Sequence, residues 1–220
     1  MRRGLAALLL AGVAPLHAAD SGGTALDRYL TGLTSLRAAF TQRVTDAHGK
    51  QTESGGGTLL VQRPGRFRWD YQPAADPSNG GDTGAAAGGQ LLVADGRNLW
   101  FFDRELSQVT VKPESTALSA TPVMLLSGSP TQLHEMFDIS ADGTHDGMEW
   151  VRVKPRSAEG DFTEAQLGFV HDQLARMQVS DRLGQTVQMD FSHAERNAHV
   201  DAGDLQFKPP AGVDVLGTAQ

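Results

Sequence analysis

The chain has no cysteine among its 220 residues. That excludes disulfides, so an exported protein of this composition must draw its stability from core packing. It also leaves no cysteine to carry a lipid anchor. Positive charge is scarce. Nineteen Lys and Arg stand against 26 Asp and Glu, a formal net charge of −7, which argues against a nucleic-acid partner. No later segment approaches the roughly 20 apolar residues of a membrane helix. Signatures of chemistry are missing as well. There is no G-x-S-x-G elbow, and Ser127-Gly128-Ser129 reads as a turn. Gly80 to Gly84 lacks the lysine and spacing of a phosphate loop. The histidines are scattered; His193, His199 and Asp201 come nearest to a ligand set, match no metal spacing and read as surface loop. No carboxylate pair stands out as acid and base. No catalytic residue, metal or cofactor is therefore assigned, and an enzyme is not expected.

What is present begins with a leader. Met1-Arg2-Arg3 is basic, Leu5 to Val13 is apolar, and Ala18-Ala19 offers small residues after Pro15. This is the layout of a secretory signal peptide over residues 1–19. Without Arg2 and Arg3 the remainder holds 17 basic and 26 acidic residues, a net charge of about −9. The segment from Thr24 to Thr41 is predicted as a helix, because Leu26, Tyr29, Leu30, Leu33, Leu36 and Phe40 follow helical spacing.

Alternation then takes over. Strands are predicted at 40–45, 58–62, 67–71, 91–94, 99–102, 108–112, 148–153, 162–170, 173–179 and 186–191, with turns at His48-Gly49-Lys50, Asp95-Gly96, His171-Asp172 and Leu183-Gly184. A short helical stretch falls between Thr116 and Ser129. Pro73 to Gly89 has no bulky apolar residue and reads as a flexible insertion, and residues 215–220 read as a loose tail. One domain over 20–214 results, of α+β class, with a strongly curved antiparallel sheet and helices on one side. Aromatic residues concentrate on the sheet faces: Phe67, Trp69, Tyr71, Trp100, Phe102, Trp150, Phe169 and Phe191. Alternation alone does not separate a filled interior from a hollow one.

Several segments resemble, in order, the outer-membrane lipoprotein carrier family, LolA. They are Phe40-Thr41-Gln42 with Asp46 to Lys50, Gly57-Thr58-Leu59, Arg63-Pro64-Gly65-Arg66-Phe67-Arg68-Trp69, Ala94 to Trp100, Thr121 to Leu126, and Phe207 to Val213. Pro73 to Gly89 departs from that pattern. The resemblance implies an unclosed β-barrel with helices as a lid over a hydrophobic cavity. It implies a monomeric periplasmic carrier with no cofactor, which takes lipoprotein cargo by its acyl chains from an ATP-driven release complex of the inner membrane. Delivery is to an outer-membrane lipoprotein receptor. Arg63 matches the arginine that latches the lid. Phe40, Phe67, Trp69, Trp100, Phe102, Met124, Leu125 and Trp150 are the expected acyl-chain cavity. The alternative is a lipid-sensing or general lipid-shuttling module of the same fold.

Overall fold

The computed structural model describes residues 23–74, 88–114, 122–157 and 162–220. The expected signal peptide, residues 75–87 of the 73–89 insertion, residues 115–121 and residues 158–161 lie outside them. Twelve strands form one sheet: β1 (Ser35–Thr45), β2 (Gln51–Gln62), β3 (Arg66–Pro73), β4 (Gln90–Ala94), β5 (Asn98–Asp103), β6 (Gln108–Pro113), β7 (Phe137–His145), β8 (Met148–Pro155), β9 (Glu164–Val170), β10 (Gln173–Ser180), β11 (Thr186–Arg196) and β12 (Asp214–Leu216). Their spatial order is β12-β6-β5-β4-β3-β2-β1-β11-β10-β9-β8-β7. All pairs are antiparallel except β12 with β6. The two outermost strands, β12 and β7, do not pair with each other, so the curved sheet stays open.

Three short helices accompany the sheet among the described residues: α1 (Ala25–Leu30), α2 (Met124–Ser127) and α3 (Pro130–Met136). They bury Leu26, Tyr29, Leu30, Met124, Leu125, Leu126 and Leu133 against the concave face of the sheet. That face brings Phe40, Leu59, Val61, Phe67, Tyr71, Leu167, Met177 and Met189 into one core. A second apolar cluster lies on the convex face of β4–β6, where Leu91, Val93, Trp100, Val109 and Val111 are covered by Phe207 and Val213.

The predicted helix over 24–41 is corrected. Thr24 caps α1 through a reciprocal bond with Asp27, but the helix stops at Leu30 and Gly32 takes a φ of +69°. Leu36 and Phe40 stand four apart, a spacing that fits a strand face as well as a helix face. Pairing decides for the strand, since β1 is bonded to β2 on one side and to β11 on the other.

Three more differences have local causes. Gly55-Gly56-Gly57 lies inside β2 rather than before it. Strand β7 went unpredicted because, of its residues, Phe137 alone is buried, and Asp138, Asp142 and Gly143 interrupt the pattern. The predicted loose tail is instead tied down. Val215 and Leu216 pair with Val109 and Thr110, and the Gln220 amide donates to Asn98 Oδ1 at 2.9 Å.

Candidate functional site

Arg63 sits between β2 and β3, at the end of the sheet where the helices meet. Its guanidinium donates from Nη1 to the Leu30 carbonyl (2.8 Å) and the Leu33 carbonyl (3.3 Å). From Nη2 and Nε it donates to the Gly128 carbonyl, at 2.7 and 3.2 Å. One side chain thus joins the C-terminal ends of α1 and α2. Those ends carry orphan carbonyls and partial negative charge, so a planar cation with five donors suits them. Burial lowers the Arg63 pKa, yet a guanidinium remains charged at any physiological pH. The Gly65 amide adds a bond to the Ser127 carbonyl at 2.8 Å.

The neighbouring carbonyls of the α1 end are taken from β11 and the residue after it. Arg196 donates to Thr31 and Asn197 to Gly32, both at 3.2 Å, while Asn197 accepts from the Thr34 amide at 2.8 Å. In the last turn of α1, Arg28 bridges Glu149 (2.6 Å) and Asp172 (3.3 Å) in exposed ion pairs of small worth. Asp27 faces His134 of α3 at 2.9 Å. Burial would raise the Asp27 pKa, but bonds from the Thr24 amide, His134 and the Thr24 hydroxyl outweigh it and hold the carboxyl below its ordinary range.

Beneath the helices, Phe40, Leu59, Trp69, Val123, Leu126, Met177, Met189 and Phe191 surround a wholly apolar hollow. Its free volume is about 10 Å³, barely room for one water. Phe40 and Trp69 meet at 5.7 Å between ring centroids, and Met177 pairs with Met189 across β10 and β11. Unbranched thioethers can repack around irregular guests. Larger hollows of about 670 and 460 Å³ are open troughs edged by Thr41, Arg43, Gln72 and Asp190 or by Arg37, Arg68 and Asp204. Thr41, Arg43, Arg37 and Arg68 alternate with the core residues and so face away from the chamber; Gln42, also at the edge of the larger trough, is in step with Phe40 instead.

The predicted site residues divide. Phe40 and Trp69 line the hollow. Phe67 is fully buried, and Met124 and Leu125 lie in the same core. Trp100, Phe102 and Trp150 are corrected. Trp100 and Phe102 pack on Phe207 on the convex face, at 5.6 and 6.0 Å. Trp150 lies over Gly168, stacks on His145 at 5.1 Å and donates to the His145 carbonyl, while its neighbours Val151 and Val153 point into the core. The cause is common to all three: these strands bury both faces, and alternation does not tell which one is concave. Trp100→Ala is accordingly expected to lower stability by about 3–5 kcal/mol in urea unfolding while leaving binding in the chamber unchanged; a binding defect matched to no loss of stability would reverse this placement.

Sequence reading missed Leu59, Val123, Leu126, Met177, Met189 and Phe191 as lining residues. Period two already puts Met177 in step with Val179, and Met189 in step with Phe191, so the signal was present for the strand members. Arg196 and Asn197 carried no local signal. Among the described residues, no cluster of His, Asp and Glu is arranged to hold a metal.

Residues 31–208 match the family model described as outer membrane lipoprotein carrier protein LolA. The outer-membrane lipoprotein carrier protein of Methylococcus capsulatus is 38% identical over 191 residues, which cover 87% of this chain and 85% of that one. The protein of the same name from Methylibium petroleiphilum is 37% identical over 220 residues, covering 98% and 99% of the two chains. Among solved structures, an uncharacterized conserved protein from Thermus thermophilus superposes with a TM-score of 0.50 at 14% identity, over 87% of this chain and 96% of that one. That likeness bears on the fold alone. With the family match extending through nearly all of the sheet, and relatives aligned almost end to end, the chain belongs to the LolA family of outer membrane lipoprotein carrier proteins.

Proposed function

We propose that this protein is a monomeric periplasmic carrier that shields the acyl chains of lipoproteins. It takes them from an ATP-driven release complex of the inner membrane and delivers them to an outer-membrane receptor. The observation that carries this reading is the small, wholly apolar chamber under helices whose ends share one arginine. No helix among the described residues is long and apolar enough to cross a membrane. Carriage needs binding and release rather than turnover.

The energetics fit reversible carriage. An acyl chain gains about 0.8 kcal/mol per methylene on leaving water. A few Arg63 bonds, each worth roughly 1.5–3 kcal/mol and not additive, are of a size that a partly buried chain can overcome. The closed form stores no room for cargo, so Phe40, Trp69 and Leu126 must move apart as a chain enters. Arg63 acts as the latch, and the lining residues as the adaptable wall.

Trp69→Glu places a charge on this wall, and a fluorescent fatty acid is expected to bind it at least tenfold more weakly than the wild type, by the desolvation of one carboxylate. Equal binding would place the chains elsewhere. Mass spectrometry of what co-purifies from the periplasm separates the carrier from its alternative: triacylated lipoproteins support it, and free phospholipid points to a general shuttle.

A further inference from the structure

Gln42 belongs to the Phe40-Thr41-Gln42 motif, and the latch and the lining leave it without a role. It follows Phe40 on the concave face of β1, pairs with Gly55 of β2 on one side and faces Met189 of β11 on the other. Its Oε1 is buried and has no hydrogen-bond partner among the described residues. A buried acceptor left unpaired is unfavourable and calls for an explanation.

The surroundings supply one. The Tyr71 hydroxyl lies over Gly55, within 2.6 Å of where a Cβ on that residue would be, and donates to Glu53 Oε1 at 2.6 Å. Gln42, Tyr71 and Glu53 thus put polar groups from three adjacent strands at one level of the concave wall. Above that level, towards Arg63, the wall is apolar: Leu36, Phe40, Leu59, Val61, Phe67 and Trp69. From Leu36 to Gln42 the strand climbs about 20 Å at roughly 3.3 Å per residue. A lipid chain spans about 15 Å in one leaflet of a bilayer whose hydrocarbon core is roughly 30 Å thick. A chain entering beneath the helices therefore ends just past Phe40, and one about 5 Å longer reaches the Gln42 level.

We propose that Gln42 is a polar stop that sets the acyl-chain length the chamber accepts. The inference rests on the carrier reading above. Methylenes packed against the apolar tier lose contact with water and gain affinity. Methylenes pushed to the Gln42 level meet an amide and the Tyr71–Glu53 pair, and gain little.

The test is a series of straight-chain saturated fatty acids of increasing length, each displacing a fluorescent fatty acid. For the wild type, affinity rises about fourfold per methylene and then flattens. In Gln42→Leu the rise continues for about two more methylenes, so the longest chains bind roughly 15-fold more tightly while short ones are unaffected. Tyr71→Phe, which keeps the ring and removes the hydroxyl, extends the rise in the same direction and serves if Gln42→Leu does not fold. The proposal is overturned if the variant curves track the wild type at every length, or shift equally at all lengths. If no fatty acid of any length binds the wild type, the carrier reading itself fails, which is a different result from a curve without a break.

Discussion

Arg63→Leu is expected to shift the closed lid of the proposed carrier towards open by about 3 kcal/mol, roughly a hundredfold in the equilibrium. Four N–H···O contacts to the carbonyls of Leu30, Leu33 and Gly128 disappear, and leucine offers those oxygens no donor. Bonds to a charged donor are worth about 1.5–3 kcal/mol each and are not additive, so 3 kcal/mol is a conservative sum. In the proposed carrier cycle a fatty acid competes with closure. When the competent form becomes dominant, apparent affinity rises by the reciprocal of its former share. The variant is thus expected to bind a fluorescent fatty acid more tightly, by up to about a hundredfold, and to hand lipoprotein to the receptor poorly. Arg63→Lys keeps the charge without the rigid fork and should fall between the two. Unchanged binding together with unchanged transfer would remove Arg63 from the mechanism.

Gly57→Val is expected to cost about 3–5 kcal/mol, against a typical total of 5–15 kcal/mol. Gly57 lies at the centre of the sheet, paired with Phe40 on β1 and with Tyr71 on β3. A Cβ there would be driven into the Asp70 carbonyl and would stand 3.1 Å from Phe40 Cζ. Neither the ladder nor the ring can yield without loss: moving the carbonyl breaks β2 from β3, and moving the ring disturbs the chamber wall. Overpacking in a rigid interior costs about 1–3 kcal/mol before any ladder bond is lost. Urea unfolding should show the drop directly. The adjacent Thr58, exposed on the convex side, should tolerate valine within about 0.5 kcal/mol. Equal stability of Gly57→Val and the wild type would mean that this strand approach is looser than it looks.

Much of the fold was legible because strand alternation is written locally. Phe67, Trp69 and Tyr71 share one face and Arg66, Arg68 and Asp70 the other, as their spacing required. Turns were legible for the same reason: His171 and Asp172 both take positive φ, the conformation of a two-residue hairpin. The segment from Leu33 to Phe40 was misread because residues four apart satisfy both periods, and the partner strands that settle the matter lie far along the chain. Which face of a doubly buried strand becomes concave is likewise a property of the whole sheet. Hence Phe40 and Trp69 border the apolar hollow, and Trp100, Phe102 and Trp150 lie outside it. The Arg63 contacts reach Gly128, and the Asn197 contacts reach Gly32, across separations that no local pattern encodes; family resemblance pointed to Arg63, and nothing pointed to Asn197.

The correction to the tryptophans has a practical side. The chain has three. Trp100 is hydrogen-bonded to Asp95 on the convex side, Trp150 is stacked on His145, and Trp69 alone of the three borders the hollow. With the other two replaced by phenylalanine, the emission of Trp69 becomes an optical gauge of what occupies the chamber, recorded without any attached dye.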